Sequence, residues 1–162
     1  MTRCFVLRLA GPLVFCCGRT PLLGQAVDAA PSGDLAALVL SAFECSVYSG
    51  FSHQPEEETR RLFQLGYDAG KQFLEAARRG LISEEDMQEK VPMRFHLNAA
   101  GPTDDFKLGR MFEVAEKAAT ESVYNMGGFG RNTPMSEWRT DPEVREAYAS
   151  SEYLSRNCAL LK

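Results

Sequence analysis

The sequence predicts an all-α fold, a small antiparallel bundle of about four main helices. Apolar residues recur at spacings of three and four along most of the chain beyond residue 33. Capping and stop residues bracket each of these runs, and no stretch reads as a strand. The 162 residues suffice for one domain.

The first helix is predicted from Asp34 to about Ser49. Ser32 or Asp34 caps it, Leu35, Leu38, Ala42 and Cys45 share one face, and Gly50 stops it. A linker ending at Pro55 leads into Glu56, Glu57 and Glu58, acids that suit the positive end of a helix dipole. The second helix runs to about Arg79. Its stripe is Leu62, Leu65, Ala69, Phe73 and Ala76, and Gly80 terminates it. Gly66 and Gly70 lie four apart inside it, where small residues permit close helix packing. Ser83 caps a short helix through Glu84, Glu85 and Asp86, and the Val91–Asn98 piece reads as an extended connector or irregular turn because of Pro92. Thr103 caps the clearest helix. Its stripe of Leu108, Met111, Phe112, Ala115, Ala118, Ala119 and Val123 should face inward, with Leu62 and Phe73 nearby and Gly127-Gly128 as the stop. Asp141-Pro142-Glu143 opens the last helix, with Val144, Ala147, Ser151, Leu154 and Cys158 as its inner face.

The start of the chain differs in kind. Residues 1–26 contain Arg3, Arg8 and Arg19 but no acid, and the apolar run LAGPLVFCC from Leu9 to Cys17 is followed by Gly24-Gln25-Ala26. A basic start, a short apolar middle and a small-residue exit describe a secretory signal peptide. The expected division is a signal peptide over 1–26, a linker over 27–33 and a single helical domain over 34–162. A mitochondrial transit peptide is the alternative, favoured by the arginines but not by the continuous apolar run. The run is too short to cross a bilayer, which needs about 20 apolar residues, so the mature chain is not expected to insert in a membrane. Phe15 and Cys16 stand where a lipoprotein box needs a small residue. Cleavage removes three arginines and no acid, taking the net charge from −4 to −7. Of five cysteines it leaves Cys45 and Cys158. Both are placed on inner faces by their spacing, so a disulfide between them is expected in an oxidising compartment.

An acidic chain lacks the basic face that nucleic acid requires. The two histidines, His53 and His96, stand outside any HExxH or CxxC pattern, and no metal or cofactor is expected. There is no GxSxG elbow, and GGFGRN near residue 130 lacks the GKS/T ending of a phosphate loop. Glu44 with Asp104 or Asp105 raises a glycosidase-like pair of carboxylates, set against the plainer reading of Glu44 as solvated and the aspartates as helix starters. The densest polar stretch is Arg94 to Arg110. It offers Arg94, His96, Asn98, Asp104, Asp105 and Arg110 as candidate partner-binding residues, or as a turn whose polar groups satisfy one another.

These features lead to a periplasmic or secreted, disulfide-stapled helical protein that acts by binding a basic protein partner, as an immunity or inhibitor protein does. The alternatives are a small exported hydrolase using paired carboxylates and a structural envelope component.

Overall fold

A computed structural model describes residues 32–125 and 134–162. The expected signal peptide, the cut after Ala26 and the Gly127-Gly128 stop lie outside these residues.

Helix α1 spans Asp34–Phe51 and forms the centre of the bundle. Ala36, Val39, Leu40, Phe43, Cys45 and Tyr48 are all buried along it, so it is covered on nearly every side. By length and composition alone it could cross a membrane, and its burial by α2, α5 and α6 accounts for the same apolarity. Gly33, rather than Ser32 or Asp34, is its N-cap. Gly50 does not stop it either. The helix continues to Phe51, and the left-handed turn falls at His53, with φ 52°.

Helix α2 (Glu56–Arg78) follows a short connection and packs along α1. Leu62, Ala69, Phe73 and Ala76 are buried as expected, while Leu65 is half-buried. Gly80, at φ 68°, ends the segment in the left-handed region that glycine tolerates. Gly66 and Gly70 serve packing. A Cβ on Gly66 would stand 2.8 Å from the Phe43 ring and 3.2 Å from the Val39 carbonyl, and one on Gly70 would collide with Leu108.

Ser83 caps α3 (Glu84–Glu89) by accepting from the Asp86 amide at 3.0 Å. The expected connector at Val91–Asn98 is instead a helix, α4 (Met93–Asn98). Pro92 precedes its first turn, where a missing N–H costs nothing, and Phe95 stacks edge-on against Phe73 at 4.8 Å. Thr103 caps α5 (Asp104–Tyr124), its Oγ1 accepting from the Phe106 amide at 3.1 Å. The α5 stripe is buried apart from Phe112, which is half-buried.

Helix α6 (Pro142–Ser155) begins as expected, with the Asp141 carboxylate accepting from the Glu143 amide at 2.9 Å. Its expected inner face is wrong. Val144 and Leu154 are 48% and 72% exposed, and Ala147 and Ser151 are also exposed. Ala149 and Tyr153 face inward. Cys158 lies beyond the helix, in a 3-10 turn over Cys158–Leu160 entered through Asn157 at φ 55°. That turn points Cys158 into the core. The Cys45–Cys158 disulfide forms, with Cα atoms 5.5 Å apart.

Six α-helices and two 3-10 turns, Met135–Glu137 and Cys158–Leu160, account for the regular structure among the described residues. Two apolar clusters share α1. One joins its first half to α2, α4 and α5 through Val39, Phe43, Phe73, Phe95 and Leu108. The other joins its second half to the start of α2, the end of α5, α6 and the C-terminal turn through Tyr48, Leu62, Val123, Tyr153 and the disulfide. Leu62 and Phe73, expected together beside α5, therefore belong to different clusters.

Candidate functional site

The polar groups of the Arg94–Arg110 stretch are taken up partly by one another, through Asn98 and Arg110, and mostly by residues outside it. Arg94 reaches out of α4 to donate to Glu44 at 2.8 Å. His96 meets the Met87 carbonyl at 2.9 Å, and Asn98 donates to the Arg94 carbonyl at 2.8 Å. Arg110 donates to the Ala100 carbonyl at 3.0 Å and lies 3.4 Å from Asn98 Oδ1. Asp104 takes Arg78 at 2.5 Å, and Asp105 takes the Tyr67 hydroxyl at 2.7 Å and Lys71 at 3.2 Å. Arg78 holds the Asp104 carboxyl below the ordinary carboxylate range. Tyr67, then Lys71, do the same for Asp105. Met93 and Leu97, one turn apart on α4, remain about 70% exposed beside this network.

Glu44 is not solvated. It is 6% exposed, and its two carboxylate oxygens each accept from a guanidinium at 2.8 Å, Oε1 from Arg94 and Oε2 from Arg156. Arg156 also pairs with Glu152 at 3.0 Å and sits over the Tyr48 ring. The partners of Glu44 come from α4 and the end of α6, whereas those of Asp104 and Asp105 come from α2. The carboxylate pair raised by the sequence is thus divided between two separate networks. Cys45 is consumed by the disulfide.

A concave feature lies elsewhere among the described residues, between α1, α2 and α5. A groove of about 420 Å³ is lined by Ser46, Val47 and Gly50 of α1, Glu56, Thr59, Arg60 and Phe63 of α2, and Phe112 and Glu116 of α5. Phe63 is 39% exposed. Its ring lies 5.2 Å from Phe112 and 5.5 Å from Phe43, and Phe112 meets Phe43 edge-on at 5.4 Å. Three aromatic rings therefore support an apolar floor whose outer edge is open. Arg60 pairs with Glu56 at 2.6 Å on the rim, and Glu116 stands exposed on the opposite helix. Below the rim, Ser49 and Thr59 share a hydrogen bond of 2.6 Å that holds α1 to α2.

None of the groove residues was singled out as a site by the sequence. The signal it held was two pairs of adjacent apolar residues, Leu62-Phe63 and Met111-Phe112. In each pair the first residue is buried and the second turns toward the groove. No family of known proteins, no curated protein and no solved structure matches this chain.

Proposed function

We propose that this chain is a binding protein, an exported and disulfide-clasped helical scaffold that takes a segment of a basic partner protein into the Phe63–Phe112 groove, as an immunity or inhibitor protein would. The observation that carries the reading is the groove itself, with its part-exposed aromatic floor and charged rim. Aromatic anchors in a shallow pocket are the usual centre of a protein-binding surface. An amphipathic helix laid across such a groove inserts apolar side chains at spacings of three and four. With Glu56 already paired to Arg60, Glu116 on the rim and a chain charge of −4 favour a helix with basic flanks.

Two synthetic helical peptides with the same apolar face test this, one carrying lysines on its polar face and the other glutamates. The lysine peptide is expected to shift the NMR signals of Val47, Phe63 and Phe112, and Phe63→Ala is expected to abolish the effect. Equal binding of both peptides, or shifts confined to other surfaces, would overturn the groove as the site. Export is tested separately by the mass of the chain recovered from its host, which should lack residues near 1–26. An intact N-terminus on cytosolic protein would refute it.

A further inference from the structure

The two walls of the groove differ in charge. Helices α2 and α5 run in opposite directions and meet closely where Arg78 reaches Asp104 and where Gly70 faces Leu108. Further along they touch only through the Phe63 and Phe112 rings, 5.2 Å apart. One turn beyond the rings stand Arg60 of α2 and Glu116 of α5, both lining the groove. Gly50 of α1 lines it as well, and an added Cβ there would meet nothing within 4 Å. The floor is therefore low beside these charges and leaves room for an incoming side chain.

Arg60 is occupied on its own wall, where it holds Glu56 at 2.6 Å. Glu116 is exposed and takes no hydrogen bond or ion pair from the described residues. Its neighbour Lys117 turns instead to Glu121, at 3.8 Å. A carboxylate with open lone pairs at the edge of an apolar floor accepts from a lysine or arginine and repels an acid.

Spacing adds a register to this preference. Phe112 and Glu116 are four residues apart, so they share one face of α5 and stand about 6 Å apart along its axis. The apolar contact and the charged contact are thus one helical turn apart. A helix lying along α5 meets both with an apolar residue at one position and a cation three or four residues away. At about 420 Å³ the groove is near the small end of ligand pockets, so it takes the side chains of about one turn.

We infer that Glu116 is the specificity-determining residue of the groove. It selects a partner helix that carries a lysine or arginine three or four residues from the apolar residue seated against Phe63 and Phe112. This rests on the groove being the binding site and adds the register that the site reads. A partner that is merely basic does not satisfy it. A cation on the far face of the bound helix points to solvent, and one on the α2 border meets Arg60.

Three synthetic helical peptides with the same leucine anchor test this against the full chain. The first carries a lysine four residues from the anchor. The second carries that lysine two residues from it, on the opposite face, and the third has glutamate in place of the first peptide's lysine. Affinities are read by NMR titration at Val47, Phe63 and Phe112. The first peptide should bind at least about threefold more tightly than the second, as expected of one exposed ion pair, and the third most weakly. Glu116→Gln should make the first two equal, and Glu116→Lys should reverse the order of the first and third. Glu89→Lys makes the same change in net charge on α3, which meets α1 at Gly33, the end remote from Gly50. It should keep the wild-type order. Residues 89 and 116 are both exposed, so the variants leave the core intact, and circular dichroism checks their folding. Equal binding of the first two peptides in the groove, an order that survives Glu116→Gln, or loss of the order in Glu89→Lys would overturn Glu116 as the selector while leaving the groove as the site. Failure of all three peptides to shift the groove signals would overturn both.

Discussion

Glu44 lies beneath two guanidinium groups that approach from different parts of the chain, Arg94 from α4 and Arg156 from the end of α6. A buried carboxylate in this position is held by charge-assisted hydrogen bonds on both oxygens. Glu44→Gln keeps the shape and removes the charge, and it should cost about 2–3 kcal/mol in a urea unfolding experiment. A loss below about 0.5 kcal/mol would show that the two arginines are served equally well by water. A second carboxylate, Glu58, accepts from Arg61 at 2.7 and 2.8 Å and from the Tyr153 hydroxyl at 2.6 Å. Arg61, and then Tyr153 against the effect of burial, lower its pKa to about 2. A carboxyl with a depressed folded-state pKa stabilises the fold above its ordinary value of 4.5, and that stability is lost as the pH falls from 4.5 toward 2. Burial and the same carboxylate raise Tyr153 to about 12, so its contribution is lost as the pH rises from 10 toward 12. Glu58→Gln should flatten the unfolding free energy in the acid window. Unchanged acid sensitivity in that variant would assign the effect to other carboxyls.

Three of the helix starts legible in the sequence depend on a local side-chain bond, whereas α1 and α2 start at Asp34 and Glu56 without one. Ser83, Thr103 and Asp141 all cap as expected because the side chain and its amide partner lie within three residues of each other. Helix faces were less legible. Periodicity identifies an apolar stripe but not the direction it faces, and α6 carries one on each side. The glycines test how far local propensity governs an element. Gly109 lies in α5, where an added Cβ would meet nothing within 4 Å, and Gly66 lies in α2 against Phe43 and the Val39 carbonyl. Helix propensity alone favours alanine at either site by about 1 kcal/mol. Gly109→Ala should gain up to that amount. Gly66→Ala should instead lose about 1–3 kcal/mol, since neither the ring nor the backbone can move aside. Thermal unfolding of the two variants checks the contrast, and shifts of the same sign would show that packing at Gly66 is looser than its geometry.

Across the molecule, the disulfide joins the central helix to the C-terminal turn over a sequence separation of 113 residues. Arg61 reinforces the closure by donating to the Leu161 carbonyl at 2.7 Å. A loop of this length contributes about 4–5 kcal/mol in the chain-entropy model. Reduction should lower the melting temperature in calorimetry while leaving most helix content at moderate temperature, because the cluster around Phe43, Phe73 and Leu108 contains no part of the clasp. An unchanged melting temperature would show that the C-terminal segment is held by its packing and hydrogen bonds alone.

The order of the four main helices, the caps at Ser83, Thr103 and Asp141, and the pairing of Cys45 with Cys158 were legible in the sequence, whereas α4 and the Gly33 cap of α1 were not. Local hydrogen bonds and side-chain spacing act over a few residues and need no knowledge of the fold. Even so, Cys158 reached the core by a different route from the one its spacing implied, through the left-handed turn at Asn157. The burial of Glu44, the outward face of α6 and the groove were decided only by tertiary structure. Arg94 lies 50 residues from Glu44 and Arg156 lies 112, and Phe63 and Phe112 come from different helices. Such contacts depend on how the helices are rotated against one another. That rotation is set by the burial of all the apolar faces together, including the close approach at Gly66 and Gly70, and no single stripe contains it.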